Sequence, residues 1–282
     1  MRRDRRDPER QKIGDETFLF SEITFHPTFE ATKRIKTGIL SEAYVLWKVS
    51  WEKGARIEFN QQGEPIKAVL AQPKSFGNIE YQKGTEFDID NLKNMGMLCV
   101  TLLQPTRFGA TDFPIGTRVD IWTDGKLYEA TLYRAQSFYG VEYPAGTSVW
   151  FDRALQYART IRIVEKDGKT IGGEHFTESM AIDFLASGQI KTAHYHDNQH
   201  NWQPLYVAVN VWGRTFELRN AYVHFNEAGE KETIELIEGQ ELFGHSLPAR
   251  TVIVKEKTGK IVAQTPDGKT IVIILKNKEN NQ

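Results

Sequence analysis

Apolar and polar side chains alternate along short segments that recur about every 30 residues. Each segment begins with an aromatic residue, and in four of the five clearest copies a glycine follows three positions later. The five copies begin at Trp51, Tyr81, Phe113, Tyr143 and Phe176. Two apolar side chains stand six and eight positions after every start, as Val119 and Ile121 do in the third copy. Alternation with a period of two is the signature of a half-buried strand, so each copy predicts a β-strand.

Each copy also predicts a turn and further strands. In the third copy, Asp124-Gly125 predicts a tight two-residue type I′ hairpin turn. Ala130 and Leu132 then mark a second alternating strand, and Phe138-Tyr139-Gly140 near the end of the copy predicts a short additional strand. No segment keeps helical periodicity for three turns, so we expect very little helix.

Looser copies on both sides extend the pattern to about eight units. We expect one β-repeat domain over residues 17–275, with residues 206–215 as an insertion between the fifth and sixth copies. Residues 1–16 are highly charged and predict a disordered arm, and residues 276–282 predict a disordered tail.

A single copy is too small to bury its apolar face, so neighbouring copies must stack. The favoured fold is all-β, an elongated array of about eight β-hairpin repeats, and a parallel β-solenoid is the alternative. Acidic residues occupy one outward position in four copies: Glu58, Asp88, Asp120 and Asp183. A parallel stack would place these like charges about 4.8 Å apart, which is destabilising. Hairpins would separate them by intervening strands.

The third copy, Phe113–Leu132, resembles units of poorly characterised bacterial hairpin-repeat proteins. Their pattern is Phe-Pro-x-Gly-Thr-x-Val-x-Phe, followed by Asp-Gly-Lys-Leu and Ala-Thr-Leu. The resemblance covers about residues 51–274, with departures such as Arg153-Ala154 at the turn of the fourth copy. The chain is also loosely similar to the curled-sheet proteins that carry lipopolysaccharide across the periplasm. These likenesses imply a bacterial protein and favour the cell envelope over the cytoplasm.

Composition excludes several classes of partner. The 36 basic and 37 acidic residues nearly balance, which removes the electrostatic case for nucleic acid or an anionic membrane. The one cysteine, Cys99, excludes an internal disulfide and a cysteine-based zinc site, and its apolar neighbours predict core packing. No apolar run reaches the roughly 18 residues of a transmembrane helix. The charged start lacks a following apolar stretch, so we expect no signal peptide in this chain.

The histidine cluster is the strongest candidate for chemistry. His194, His196 and His200 resemble the first half of a cupin metal motif, and two imidazoles on one strand face can bind Zn²⁺, Mn²⁺ or Fe²⁺. The glutamate of that motif is missing, and the repeat register places His194 and His196 on the outward face. A surface role is therefore favoured over a metal site, and no cofactor is expected. Gly168-Lys169-Thr170 lacks the first glycine of a phosphate loop, so it predicts a hairpin turn.

Aromatic residues at outward or inserted positions carry the functional hypothesis. The expected binding residues are Trp122, Tyr133, Trp150, Trp202 and Trp212. Solvated tryptophan and tyrosine side chains are enriched at protein interfaces, although some of these could instead cover a second layer of sheet. We expect a non-enzymatic scaffold or assembly component that binds another protein. The alternatives are a carrier that holds a lipid or other apolar ligand in a curled sheet, and a metal-dependent enzyme built around His194 and His196.

Overall fold

The computed structural model describes residues 9–13, 16–25, 35–178, 180–196 and 207–273. The chain divides into two compact units, Met1–Ala135 with Trp150–Tyr157 and Gln136–Val149 with Ala158–Gln282. Within the described ranges the helical structure is one turn, α1 (Leu92–Met95), and all other regular elements are strands. The all-β class is therefore confirmed. No helix in this part of the chain has the length and apolar content that a membrane span requires.

The strands of the first unit alternate between long pairs and short hairpins. In chain order they are β1 (Glu9–Ile13), β2 (Glu16–Phe25), β3 (Ile35–Leu40), β4 (Tyr44–Leu46), β5 (Val49–Trp51), β6 (Arg56–Phe59), β7 (Pro65–Val69), β8 (Lys74–Phe76), β9 (Ile79–Tyr81), β10 (Glu86–Asp88), β11 (Met97–Thr101), β12 (Thr106–Phe108), β13 (Thr111–Phe113), β14 (Arg118–Trp122) and β15 (Leu127–Thr131). The main sheet of this unit runs β1-β2-β3-β6-β7-β10-β11-β14-β15, and every neighbouring pair is antiparallel. The pairs β4–β5, β8–β9 and β12–β13 form separate two-stranded sheets.

The second unit repeats the same alternation. Its strands are β16 (Gln136–Phe138), β17 (Val141–Tyr143), β18 (Ser148–Phe151), β19 (Ala158–Arg162), β20 (Lys169–Ile171), β21 (Glu174–Phe176), β22 (Ala181–Phe184), β23 (Ile190–His196), β24 (Val207–Val211), β25 (Arg214–Leu218), β26 (Asn220–Phe225), β27 (Lys231–Leu236), β28 (Gln240–Leu242), β29 (His245–Leu247), β30 (Val252–Lys255), β31 (Ile261–Gln264) and β32 (Thr270–Ile273). The last two residues of β18 belong to the first unit. The antiparallel order is β19-β22-β23-β26-β27-β30-β31-β32. The short hairpins are β16–β17, β20–β21, β24–β25 and β28–β29.

The acidic positions confirm the hairpin array over the parallel solenoid. Glu58 and Asp88 do not pair with each other, because Lys67 of β7 lies opposite both of them. Cys99 of β11 lies in the same way between Asp88 and Asp120. The intervening strands therefore separate the like charges.

The core lies between the main sheet and the short hairpins. The paired apolar positions of the five clearest copies are all buried: Ile57, Phe59, Phe87, Ile89, Val119, Ile121, Val149, Phe151, Ile182 and Phe184. The ring of Phe87, on β10, lies 6.1 Å from that of Trp51, 5.2 Å from that of Phe76 and 5.1 Å from that of Tyr81. These three rings belong to short hairpins. The aromatic residues that start the sequence copies, here Trp51 and Tyr81, therefore lie in a second layer that covers the main sheet.

The turn at Asp124-Gly125 differs from the predicted type I′ turn. A type I′ turn needs positive φ at both central residues, and of this pair only Gly125 has one, at 82°. Trp122 N–H donates to the Lys126 carbonyl at 2.8 Å, and Gly125 N–H donates to the Trp122 carbonyl at 2.8 Å. The loop therefore has three residues, and the left-handed Gly125 at its end forms a bulge.

The residues expected to form an insertion lie in a regular part of the repeat. Strands β24 and β25 pair around Trp212-Gly213, where both residues have positive φ. Val209, Val211 and Phe216 are buried. This hairpin follows β23 as the other short hairpins follow their main strands, so it is the lengthened short hairpin of its copy.

Other boundaries differ at the two ends of the array. Residues 9–13 of the expected arm form β1 and pair with β2, whereas residues 1–8 and the expected tail 276–282 lie outside the described residues. In the last copy, the fully buried side chain of β30 is Ile253, and Val252 and Val254 on either side of it are half-buried.

The tips of three short hairpins contact the turns of main hairpins further along the chain. A Cβ atom on Gly77 would lie 2.5 Å from the Asp124 carbonyl oxygen, and one on Gly109 would lie 3.1 Å from that of Gln156. In the second unit the ring of Tyr139 packs on Gly188, and the Tyr139 hydroxyl donates to the Ala158 carbonyl at 2.7 Å. Each of these three short hairpins thus ties its copy to the copy after the next one.

Candidate binding surface

An aromatic pair lies on the outward face of the first unit, where β14 turns into β15. Ile121 and Leu127 are buried, so the alternation places Trp122 and Tyr128 on the opposite, half-buried face. Their rings meet edge to face at 5.5 Å and 74°. The Asp124-Gly125 turn produces this pair, because it reverses the chain directly between the two residues.

A cation and a carboxylate complete this cluster. The guanidinium of Arg153 lies 4.5 Å from the centroid of the Trp122 ring, within the range of a cation–π interaction. The Asp124 carboxylate holds the same guanidinium at 3.3 Å. Partial burial would raise the pKa of Asp124, but the Lys126 amide and the Arg153 guanidinium outweigh it and lower that pKa. Trp122, Tyr128, Asp124 and Arg153 are called the Trp122 cluster below.

The other expected binding residues belong to other parts of the chain. Trp150 is half-buried on the outward face of β18, since its neighbours Val149 and Phe151 are buried. Tyr133 follows β15 and is 66% exposed, with its ring over the bare backbone of Gly116, where a Cβ would lie 2.9 Å from the ring. Trp212 belongs to the second unit and lies at the tip of β24–β25, 5.9 Å from the Phe216 ring. Trp202 lies outside the described residues.

Sequence reasoning missed the role of Arg153. It follows β18 at the place where the first, third and fifth copies have Gln62-Gly63, Asp124-Gly125 and Ser187-Gly188, and the sequence showed it only as a departure from this turn pattern. In the structure, the Asp152 carboxylate accepts from the Ala154 and Leu155 amides at 2.9 and 2.8 Å and shapes the altered turn. This altered turn presents Arg153 to Trp122. A departure from the repeat at an otherwise regular position was therefore the signal for a special residue.

In the described part of the histidine region, the side chain of His194 makes a hydrogen bond and a ring contact. His194 Nε2 lies 3.1 Å from Asn220 Oδ1, and the Asn220 amide donates to Glu238 at 3.0 Å. The His194 ring also stacks on Tyr222 at 4.6 Å. The side chain of His196 and all of His200 lie outside the described part of the structure. Within that part, three or more His, Cys, Asp or Glu side chains do not come together as a metal site would require.

A depression of about 350 Å³ lies on the first unit beside Cys99. Its rim carries two ion pairs, Lys67–Glu86 at 3.1 Å and Arg118–Asp88 at 3.5 Å. The thiol itself is 8% exposed and accepts from Arg118 Nε at 2.9 Å. Burial, followed by the neighbouring Asp120, raises the pKa of Cys99 to about 12. A thiol held protonated in this way is a packing and hydrogen-bonding group, not a nucleophile.

The chain matches no protein-family model and no curated protein sequence.

Proposed function

We propose that the protein is a non-enzymatic binding protein, and that it holds another protein on the outward face of its first unit around the Trp122 cluster. The observation that carries this proposal is the fixed arrangement of Trp122, Tyr128 and Arg153. Tryptophan, tyrosine and arginine are the residues that most often dominate binding energy at protein interfaces. Because Arg153 is held by Asp124, little side-chain freedom is lost when a partner binds.

The cluster also indicates what kind of surface would bind it. The Arg153 and Asp124 side chains are 59% and 43% exposed and neutralise each other. A partner therefore needs no large net charge here. It needs an apolar or aromatic group to cover the rings, and a hydrogen-bond acceptor for the free edge of the guanidinium.

The packing of the interior supports a role for the outer surface. A carrier would need an apolar groove, whereas the inward-facing pairs of the five clearest copies are at most 5% exposed and lie under the short hairpins. The resemblance to bacterial hairpin-repeat proteins makes an assembly component in a bacterium the favoured setting.

The proposal is tested by capture of a partner with matched variants. Tagged wild-type protein, Trp122→Ala, Arg153→Ala and the control Val45→Ser would be compared in extracts of the organism of origin. Val45 is 61% exposed on a short hairpin, so the control removes an exposed apolar side chain away from the cluster. We expect one protein to be enriched by the wild type and by Val45→Ser, and to be lost with both cluster variants.

Binding of the purified partner then gives the magnitude. Loss of a central interface tryptophan costs about 2 kcal/mol or more, so Trp122→Ala should weaken binding about 30-fold. Equal capture by all four proteins would refute the role of the cluster. Extraction of a stoichiometric lipid from the wild type, with no protein partner, would replace this proposal with the carrier hypothesis.

A further inference from the structure

Strand β32 lies at an edge but has the composition of a central strand. Within the described residues it pairs on one side alone, with β31. Thr270–Ile273 carries no charge and is apolar on both faces, with Ile271 and Ile273 inward and Val272 outward. Strands with two apolar faces normally lie between two neighbours, and exposed edges are normally protected by charge, proline or a bulge.

Two apolar rows that cross the end of the sheet both stop at β32. The inward row is Ile253–Ala263–Ile271, and the outward row is Val254–Val262–Val272. Along the outward row, Val262 on β31 is 2% exposed and Val272 on β32 is 44% exposed. A further strand beside β32 would continue both rows and bury Val272.

The backbone of β32 also has groups directed to this edge. Thr265 N–H donates to the Lys269 carbonyl at 2.9 Å, which makes that pair the first bonded pair of the β31–β32 hairpin. Bonded and non-bonded pairs alternate in antiparallel sheets, so Ile271 bonds to Ala263 and Val272 does not bond to Val262. The N–H and C=O groups of Thr270 and Val272 therefore point away from β31.

We propose that β32 pairs antiparallel with β32 of a second copy of this chain, about a two-fold axis at or next to Val272. Charge decides between the available strands. The edge strand at the other end of the array, β1, carries Glu9, Arg10 and Lys12, which would lie against isoleucine and valine. Pairing β32 with itself matches an uncharged strand to an uncharged strand.

Two further observations favour a second copy of this chain as the partner of β32. Ile274 and Leu275 extend the apolar run directly after β32, and residues 276–282, Lys-Asn-Lys-Glu-Asn-Asn-Gln, are all polar, so this stretch has no second alternating segment to match β32. A two-fold pair uses the same edge of both copies, so it closes at a dimer and does not grow into a fibre. The surface is separate from the Trp122 cluster, so this inference stands independently of the proposed function.

Sedimentation equilibrium of the full chain over roughly 1–200 µM tests the proposal, since small interfaces are weak. We expect the mass to rise with concentration from 32.3 kDa towards twice that value. Val272→Pro removes an N–H that points to the edge and leaves the β31 bonds intact, so it should lower the association constant at least about tenfold. The matched control Val272→Thr keeps the N–H and the β-branched shape, and should stay within about threefold of the wild type.

A charge pair keeps the proposal testable if Val272→Pro does not fold. Val272→Lys and Val272→Glu should each be monomeric, and an equal mixture should regain the dimer mass. In the wild type, the Thr270 and Val272 amides should become protected from hydrogen exchange only at dimer-forming concentrations. A wild type that stays at 32.3 kDa throughout, or a dimer that Val272→Pro leaves unchanged, would overturn the proposal.

Discussion

Replacement of Gly125 by alanine tests the contact between a short hairpin and a distant main turn. Gly125 has a φ of 82°, and a Cβ atom there would overlap the Phe76 carbonyl oxygen and lie 2.7 Å from the Gly77 nitrogen. Both groups are backbone, so neither can swing aside as a flexible side chain could. Gly125→Ala must therefore strain its own turn and also push the β8–β9 tip away.

Gly63 provides a matched control in the same unit. Gly63 ends a three-residue turn of the same type in the β6–β7 hairpin. Its φ is 86°, and its N–H donates to the Asn60 carbonyl at 3.0 Å. A Cβ atom there would lie 3.6 Å from the nearest atom, which is ordinary contact. Left-handed backbone costs alanine about 1–2 kcal/mol, and overpacking adds about 1–3 kcal/mol. We therefore expect a loss of about 1–2 kcal/mol for Gly63→Ala and about 2–5 kcal/mol for Gly125→Ala.

Urea unfolding followed by tryptophan fluorescence would measure both losses. A Cβ on Gly77 would meet the same turn from the other side, so Gly77→Ala should also be destabilising. The double variant Gly77→Ala, Gly125→Ala should cost less than the sum of the single changes, because either one already separates the tip from the turn. Equal losses for Gly63→Ala and Gly125→Ala, or strict additivity in the double variant, would refute the contact.

Three further predictions concern the core, the lengthened hairpin and the thiol. Val119→Ala should cost about 2–3 kcal/mol of unfolding free energy through lost burial and a cavity, while the outward Ser148→Ala should change it by less than about 0.5 kcal/mol, measured by urea unfolding. Deletion of residues 206–215 should unfold the second unit, because it removes the buried side chains of Val209 and Val211; a cooperative wild-type melting curve for this variant would contradict that. Cys99 should not react with a thiol reagent at pH 8 until the protein is unfolded. Since its folded pKa lies near 12 and the ordinary value is 9.0, its contribution to stability should be complete below pH 9 and decline above it, measured as a melting temperature that falls with pH.

The sequence predicted the faces of the strands better than the layers. Period-two alternation identified Val119 and Ile121 as inward residues, and both are fully buried. The same alternation cannot distinguish a residue in the sheet from one in a hairpin that covers it, because both are apolar. Trp51 and Tyr81 were therefore taken as the starts of copies, although they end the short hairpins β4–β5 and β8–β9 of the covering layer.

The candidate surface was predictable only where its residues are close in sequence. Trp122 and Tyr128 flank one turn, so a hairpin places them together. Arg153 reaches Trp122 from the next main turn, and that contact depends on how one copy lies on another. The sequence analysis also missed that the segment around Trp212-Gly213 belongs to the repeat. Both residues have positive φ, as Phe243 and Gly244 do. The aromatic–glycine pair that these two hairpin tips share was the signal for it.

The strictly sequential order of the main strands has a consequence for the rate of folding. Among the described register partners, the most distant in sequence are Thr192 and His224, which are 32 residues apart in a chain of 282. This ratio is about 0.11 at most, within the range of relative contact order found for helical bundles rather than for β-sandwiches. Pairing of the described main strands is therefore local in sequence, whereas the contacts of Gly77 with Asp124 and of Gly109 with Gln156 join residues farther apart. We expect this all-β protein to refold faster than a β-sandwich of similar length, with successive hairpins adding to whichever copy forms first.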